Sequence, residues 1–565
     1  DISIFGMQGT ISFSGGKPRL PFEPPTATAT RGPSLKLPAI IIKSMNVKEG
    51  DLKVSLDRPD LSVHVADFNA RINPDLRKRG GKVSFSTGRT EVIYQKKALP
   101  DLALSGEGKL QGEELQWKAL NVMLAGASLT LSGIVSGFQK PSLDLLLTGK
   151  CNLNSVWEIL EDWIAKIPRL KGGASWNIAV SGTSPEIKAQ GSLSIAGGGI
   201  GEFVIEDMDA RFNVDRNRAE FDKVTLRNSG GIIRASGTID MTGPMKTRAL
   251  VETEGVSFAR LLNNLTVKGS RVDSSLDVRA SLIGALKGEG GFVLEGDADV
   301  LFKNFSVTEK SYQVKEGNND ILRVKGARVN TRIRIDDEKV RLSPANADLG
   351  TYIIEASSDL RYDEHFSISF SSDSLDLSSL SPIGPLPIRG KGKASGTIAG
   401  PFNDPVINGD VDMSGFGIFD WDLGSVLGKI HYYKLALSFH DMKMARGTSA
   451  FSGSGAVTFT EEARLSLNVS VPGGRLEDIL GIWLKGYENT IGIKGMAEGN
   501  VFLEGPFDEL NGKGSVRVKN AAVLGEMFSS GTASGQMNQG SLFVDNISLY
   551  KEDGSLYISG NLNKD

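Results

Sequence analysis

The 565 residues carry 64 basic and 67 acidic side chains, a net charge of −3, so no global field gathers nucleic acid or anionic lipid. Apolar residues make up 40% and charged residues 23%, which excludes a disordered polyelectrolyte, and no run approaches the ~18 consecutive apolar residues of a membrane-spanning helix. The single cysteine, Cys151, excludes an intrachain disulfide, and 67 glycines against 21 prolines suit many strands joined by tight turns.

The chain opens inside a strand-like pattern, "DISIFGMQGTISFSG", and closes on another, "GSLYISGNLNKD", so we expect a piece of a longer protein. The Pro/Thr-rich stretch at residues 15–34 reads as a single loop or a disordered excursion. The basic run "RINPDLRKRGGK", residues 71–82, reads as a solvated hairpin loop, with contact to lipid headgroups or a partner as the alternative. From there strict alternation recurs. It places Leu129 and Leu131 on one strand face, then Leu143, Leu145 and Leu147. Val272, Leu276 and Val278 follow, then Ile333 with Ile335, and Phe366 with Ile368 and Phe370. Leu465, Leu467, Val469 and Val471, and then Val516 and Val518, complete the series. Polar residues occupy the positions between, which predicts half-buried strands in an antiparallel meander.

Helical patterns are few and regularly placed. "NSVWEILEDWIAKI" carries Val156, Trp157, Leu160, Trp163, Ile164 and Ile167 at helical spacing, as a cap on the sheet, with a plug in the groove or a membrane-surface helix as alternatives. Similar starts recur at Phe258/Leu261, Leu377/Leu380 and Leu476/Ile479; measured from Leu153 the steps are 105, 119 and 99 residues. A second mark, the serine read as ending the strands at Ser132, Ser236, Ser357, Ser452 and Ser559, steps by 104, 121, 95 and 107. Both series lengthen together at the one long unit, which identifies a repeat of about a hundred residues. The expected division is an N-terminal region 1–150, units 151–255, 256–374 and 375–473, and a truncated unit 474–565. A glycine-flanked turn, proline-bearing in "VSGTSPEIKAQGSLSI", "IAGPFNDPVINGDVDM" and "LEGPFDELNGKGSVRV", falls about thirty residues after each helix start.

An apolar sheet face needs a cover: a second sheet, helices, closure into a barrel, or something that is not protein. One short helix per repeat covers little, no linkers separate sandwiches, and 7% aromatics is poor for the girdles of a membrane barrel. The expected fold is all-β with a few short helices: a long, curved, twisted antiparallel sheet of roughly 40 strands forming an open apolar groove. Such a face is a binding surface, and an acyl chain fits it. An ordinary sandwich core remains the alternative for the same residues.

The order of helix start, strand, "SGTSPEIKAQGSLSI" or "AGPFNDPVINGDVDM", and a meander ending in "SG" resembles the repeat of the AsmA-like superfamily. "IIIKSMNVKEGDLKVSL" with "VADFNARI" is similar to the region after that family's membrane anchor. The resemblance implies a periplasmic bridge-like protein carrying phospholipid acyl chains between inner and outer membranes in support of outer-membrane biogenesis. It further implies an inner-membrane anchor outside these residues, and it leaves open an outer-membrane barrel partner. The apolar residues named above then line the lipid groove. The competing functions are a scaffold that assembles outer-membrane proteins by strand augmentation and an adhesin of stacked sandwiches.

Enzymatic chemistry is not expected, nor a cofactor. His64, His365, His431 and His440 are scattered without metal-ligand spacing, and "GKGKASG" at 390–396 reads as strand glycines rather than a phosphate loop. No "GxSxG" elbow occurs, Cys151 has no positioned base, and Glu113/Glu114 and Glu461/Glu462 read as solvated turns.

Overall fold

Alternation becomes strand throughout the chain. The computed structural model describes residues 2–14, 17–19, 43–56, 61–75, 80–94, 97–137, 140–160, 169–183, 185–201, 203–228, 230–264, 272–288, 291–308, 320–362, 365–380, 386–402, 404–459, 463–482, 492–507, 509–539 and 541–562. Within these residues lie 34 strands and three short α-helices, α1 (Leu153–Leu160), α2 (Phe258–Asn264) and α3 (Leu476–Leu480). Burial follows the sequence with period two, because successive side chains of a strand point to opposite faces. In strand Ala463–Arg475, Leu465 and Val471 are buried and Leu467 and Val469 half-buried, while Arg464, Ser466 and Asn468 are exposed.

Nearly all pairing is antiparallel between neighbours in sequence, as the meander requires. The exceptions are N-terminal: Ile2–Phe5 and Gln8–Ser14 both run parallel to Met45–Leu56, and Leu61–Asp75 and Gly80–Ser86 also pair with strands one further on, Thr90–Tyr94 and Lys97–Gln111. The basic run is a hairpin, with Asn73 opposite Lys82 and Asp75 opposite Gly80; its residues 76–79 lie outside the described residues. Most of the Pro/Thr-rich stretch and Trp163, Ile164 and Ile167 also lie outside them.

The helices punctuate the strands evenly. Among the described residues, six strands separate α1 from α2, six separate α2 from the 3-10 turn Leu377–Ser379, and six separate that turn from α3. The proline-bearing turns join the first two strands after a helix, as between Ile388–Pro401 and Val406–Ile418. Ser132, Ser236, Ser357, Ser452 and Ser559 do not end strands: each lies inside one, and the first four sit in the penultimate strand before a helix. A small residue is suited to such a position because the adjoining strand passes close; Gly133, which follows Ser132, has φ of +127° and faces the Asp144 carbonyl so closely that a Cβ would not fit.

The helical turns are fixed by polar caps. The Ser257 hydroxyl accepts from the Arg260 N–H (3.3 Å) at the start of α2, and the Asp376 carboxylate accepts from the Ser378 N–H (3.0 Å) in the 3-10 turn. The chain forms two compact units, one of residues 1–228 with 232–250 and one of residues 229–231 with 251–565.

Candidate hydrophobic groove

In the first unit the predicted leucines share a face. Leu131 stands opposite Leu147, and Leu147 opposite Ile178 on the next strand, so the apolar row continues across three strands. Leu129, Leu143 and Leu145 join it, all half-buried. From Val92 to Ala174, both buried, no described apolar side chain in between is buried. The unit also holds an aromatic row that alternation alone did not single out. Phe68 lies 6.4 Å from Phe85, and Phe85 lies 6.1 Å, edge-on, from Trp117. Gly106 and Gly108 on the strand between make room: a Cβ on either would strike the Phe85 or Trp117 ring.

In the second unit, the apolar ladder passes from Val278 to Val300 to Val329, each opposite the next, with Leu276 buried beside it. Val272 is paired with Val307, Ile333 with Leu342, and Ile335 with Val340. Ile368 is paired with Ile398, Phe370 faces Ala356 and Gly396, and the Phe366 ring stacks on Phe402 at 4.8 Å. Polar residues, exposed or half-buried, alternate with them.

The same unit contains a place where predicted residues meet around a cavity. Leu465, Leu467, Val469, Val471 and Val516 line an apolar cavity that is partly open to solvent. Val518 lies in a neighbouring cluster with Ala521, Phe528 and Leu549. The remaining wall comes from residues that the alternating pattern missed: Phe416, Ile418, Trp421, Leu423, Val426, Phe439, Met442, Met444, Phe451, Val457, Val501, Leu503 and Phe507. Among the described residues, the only charged one in the lining is Glu498, and its carboxylate is 3.7 Å from the exposed Arg517 guanidinium on the adjoining strand.

Bulges produce the curvature. Every neighbouring pair from His365–Asp376 through Asn511–Val523 carries a register shift, and bulged strands bend and twist more than regular ones. Gly415 (φ +58°) and Gly424 (φ +75°) flank two of the shifts, in a left-handed conformation that a side chain resists. Each bulge also slips the phase of alternation, and this hid Phe416 and Ile418 after Gly415.

Helix α3 closes one side of the cavity with Ile479, and Ile482 lies just beyond it. Its position is set by polar contacts. The Asp478 carboxylate accepts from the Ser449 hydroxyl (2.7 Å) and the Thr448 N–H (3.0 Å), and the Arg446 guanidinium donates to the Asp478 carbonyl (2.9 Å).

The opposite face of the strands is polar and charge-paired. Glu295 and Arg334 are directly opposed and bonded, as are Asp359 and Arg341 (2.7 Å). The Arg341 bond, then that from Lys339, holds the Asp359 carboxyl down at about 2 against the cost of its partial burial. Such pairs are worth little individually, but they keep charge off the apolar face.

The described histidines and the glycine-rich run take strand positions. The Asp51 carboxylate lies 3.0 Å from His64 Nε2, His431 Nδ1 is 2.8 Å from Asn408 Oδ1, and "GKGKASG" lies within strand Ile388–Pro401. Glu461 and Glu462 fall outside the described residues, among which no cluster of three or more His, Cys, Asp or Glu is placed to hold a metal and no helix is long and apolar enough to cross a membrane. Set against protein-family models and curated proteins, the sequence matches none.

Proposed function

We propose that the chain is a non-enzymatic lipid-binding protein of AsmA-like type, working in the periplasm and passing phospholipid acyl chains between inner and outer membranes. The observation that carries this reading is the cavity whose described lining is apolar but for one outward-paired glutamate. A space of that kind offers no hydrogen-bond partner to a polar ligand and rewards a hydrocarbon one. The half-buried apolar faces of the other strands supply the same chemistry without enclosure. Transfer along them is passive: tails are solvated by strand side chains, headgroups remain in water, and near-equal contacts let a chain move on.

Native mass spectrometry of the purified 565-residue chain, with lipid extraction, tests the reading. Several phospholipids per chain are expected, and Leu467→Arg and Val278→Asp should lower that number, because an unpaired charge on the apolar face is costly. A folded, lipid-free wild-type protein would refute it.

A further inference from the structure

Two hairpins around the cavity break the rule for their turns. Ile418 pairs with Trp421, and Tyr433 pairs with Ala436, so Phe419/Asp420 and Lys434/Leu435 are two-residue turns. Tight turns of this kind favour Asn, Asp or Gly where φ is positive. Here Phe419 has φ of +52° and Leu435 φ of +67°, conformations that cost a bulky side chain free energy. The Arg389 guanidinium donates to the Phe419 carbonyl (2.7 Å), and both side chains pack against one buried cluster that includes Leu386, Phe459 and Leu510.

The Phe419 ring meets Phe507 with 5.2 Å between centroids. Five hydrogen-bonded strands, Trp421–Tyr433 to Ile493–Pro506, lie between these two turns along the sheet. The two turns also lie at opposite ends of those strands, so in a flat sheet a strand length of ~40 Å, besides five lateral spacings of ~4.8 Å, would hold them apart. The strands therefore bend across their apolar face until turns from their two ends touch, while the Phe419 N–H to Pro387 carbonyl bond (2.9 Å) and the Phe459 N–H to Leu435 carbonyl bond (2.7 Å) carry the neighbouring ladders into the turns. An expected open seam is shut at this point.

We propose that Phe419 and Phe507 form a clasp over a binding site for a single hydrocarbon chain, whose polar end stays outside; this rests on the lipid-binding reading above. The enclosed lining is too apolar to receive a headgroup, so the tail alone lies under the rings and leaves sideways only when they part. The strained turn at Phe419 is what places its ring across the seam.

The test follows release of radiolabelled palmitate from the full chain into excess unlabelled palmitate on albumin. Cys151→Ser removes the only native thiol, so Phe419→Cys with Phe507→Cys can be bridged by a short bifunctional methanethiosulfonate. The bridged protein should release palmitate at least about ten-fold more slowly than the wild type. Phe419→Asn suits the turn, removes the ring and should release it about ten-fold faster, the change that one lost aromatic contact supports at its upper range. An unchanged rate in either variant, with palmitate still bound, overturns the clasp and leaves the lipid-binding reading intact. Absence of both bound palmitate and co-purified phospholipid from the wild type overturns that reading, and the clasp with it.

Discussion

Strands Ser142–Asn152 in the first unit and Ala463–Arg475 in the second carry the same alternation, yet Leu143, Leu145 and Leu147 stay half-buried whereas Leu465 and Val471 are each 7% exposed. The residue types do not explain the difference; what lies across the face does. Ser142–Asn152 pairs without a register shift on either side, while Ala463–Arg475 is shifted against both neighbours and sits in a run of bulged pairs that rolls the sheet onto its own turns. Alternation makes an apolar face, and bulges decide whether the protein or a ligand covers it.

Truncating a side chain under the rolled sheet should give the largest contrast. Phe459, 1% exposed in the cluster beneath the clasp, should cost about 3–5 kcal/mol as Phe459→Ala, because the surrounding strands cannot collapse into the gap. Leu145→Ala, on the half-buried face, should cost about 1–2 kcal/mol. Hydrogen exchange of strands Ser449–Phe459 and Ser142–Asn152 reads each locally, without requiring the whole chain to unfold in one step. Equal costs would mean that the first unit's face is covered as well as the second's.

Charge on the two faces should separate them next. Leu467→Arg places a guanidinium in the enclosed lining and should remove the lipid held there, whereas Leu145→Arg can lay its methylenes on the apolar row and reach water with its head. Lipid counts per chain should therefore fall further for the first than for the second. A smaller effect tests the cause of the curvature. Gly415 has φ of +58° and open space where a Cβ would go, so Gly415→Ala carries backbone strain alone, about 1–2 kcal/mol, and should loosen exchange in Val406–Ile418.

Much of this contrast was legible in the sequence, and the rest had physical reasons for being hidden. Period-two alternation survives translation into strands because nothing competes with it, so Leu465, Leu467, Val469, Val471 and Val516 were found together with the cavity they line. Phe416, Trp421 and Met444 were not, since each follows or precedes a bulge that resets the phase. The helix starts at Leu153, Phe258, Leu377 and Leu476 were readable from local spacing. The contact of Phe419 with Phe507 was not, because it joins opposite ends of strands five apart and depends on how far those strands bend. One sign of it stands in the sequence: a phenylalanine and a leucine at turn positions that local chemistry assigns to Asn or Gly.

The smallest expected effect lies on the outer face, where the two units are alike. Lys118 pairs with Glu107 at 2.8 Å in the first, and Arg341 and Lys339 with Asp359 in the second. Asp359 has its folded pKa lowered to about 2, while an unfolded aspartate titrates near ~3.9. The folded state therefore favours the ionised form, so this pair's contribution is complete above pH ~4 and is lost as the pH falls through about 2. The carboxylate is 35% exposed, so water screens the interaction and its worth is ~1 kcal/mol or less. Asp359→Asn should lower the urea midpoint slightly at pH 5, and the gap to the wild type should narrow markedly by pH 2. A gap that persists unchanged at pH 2 would show that the side chain acts there through packing, and the outer face would then share the role that the comparison assigns to the inner one alone.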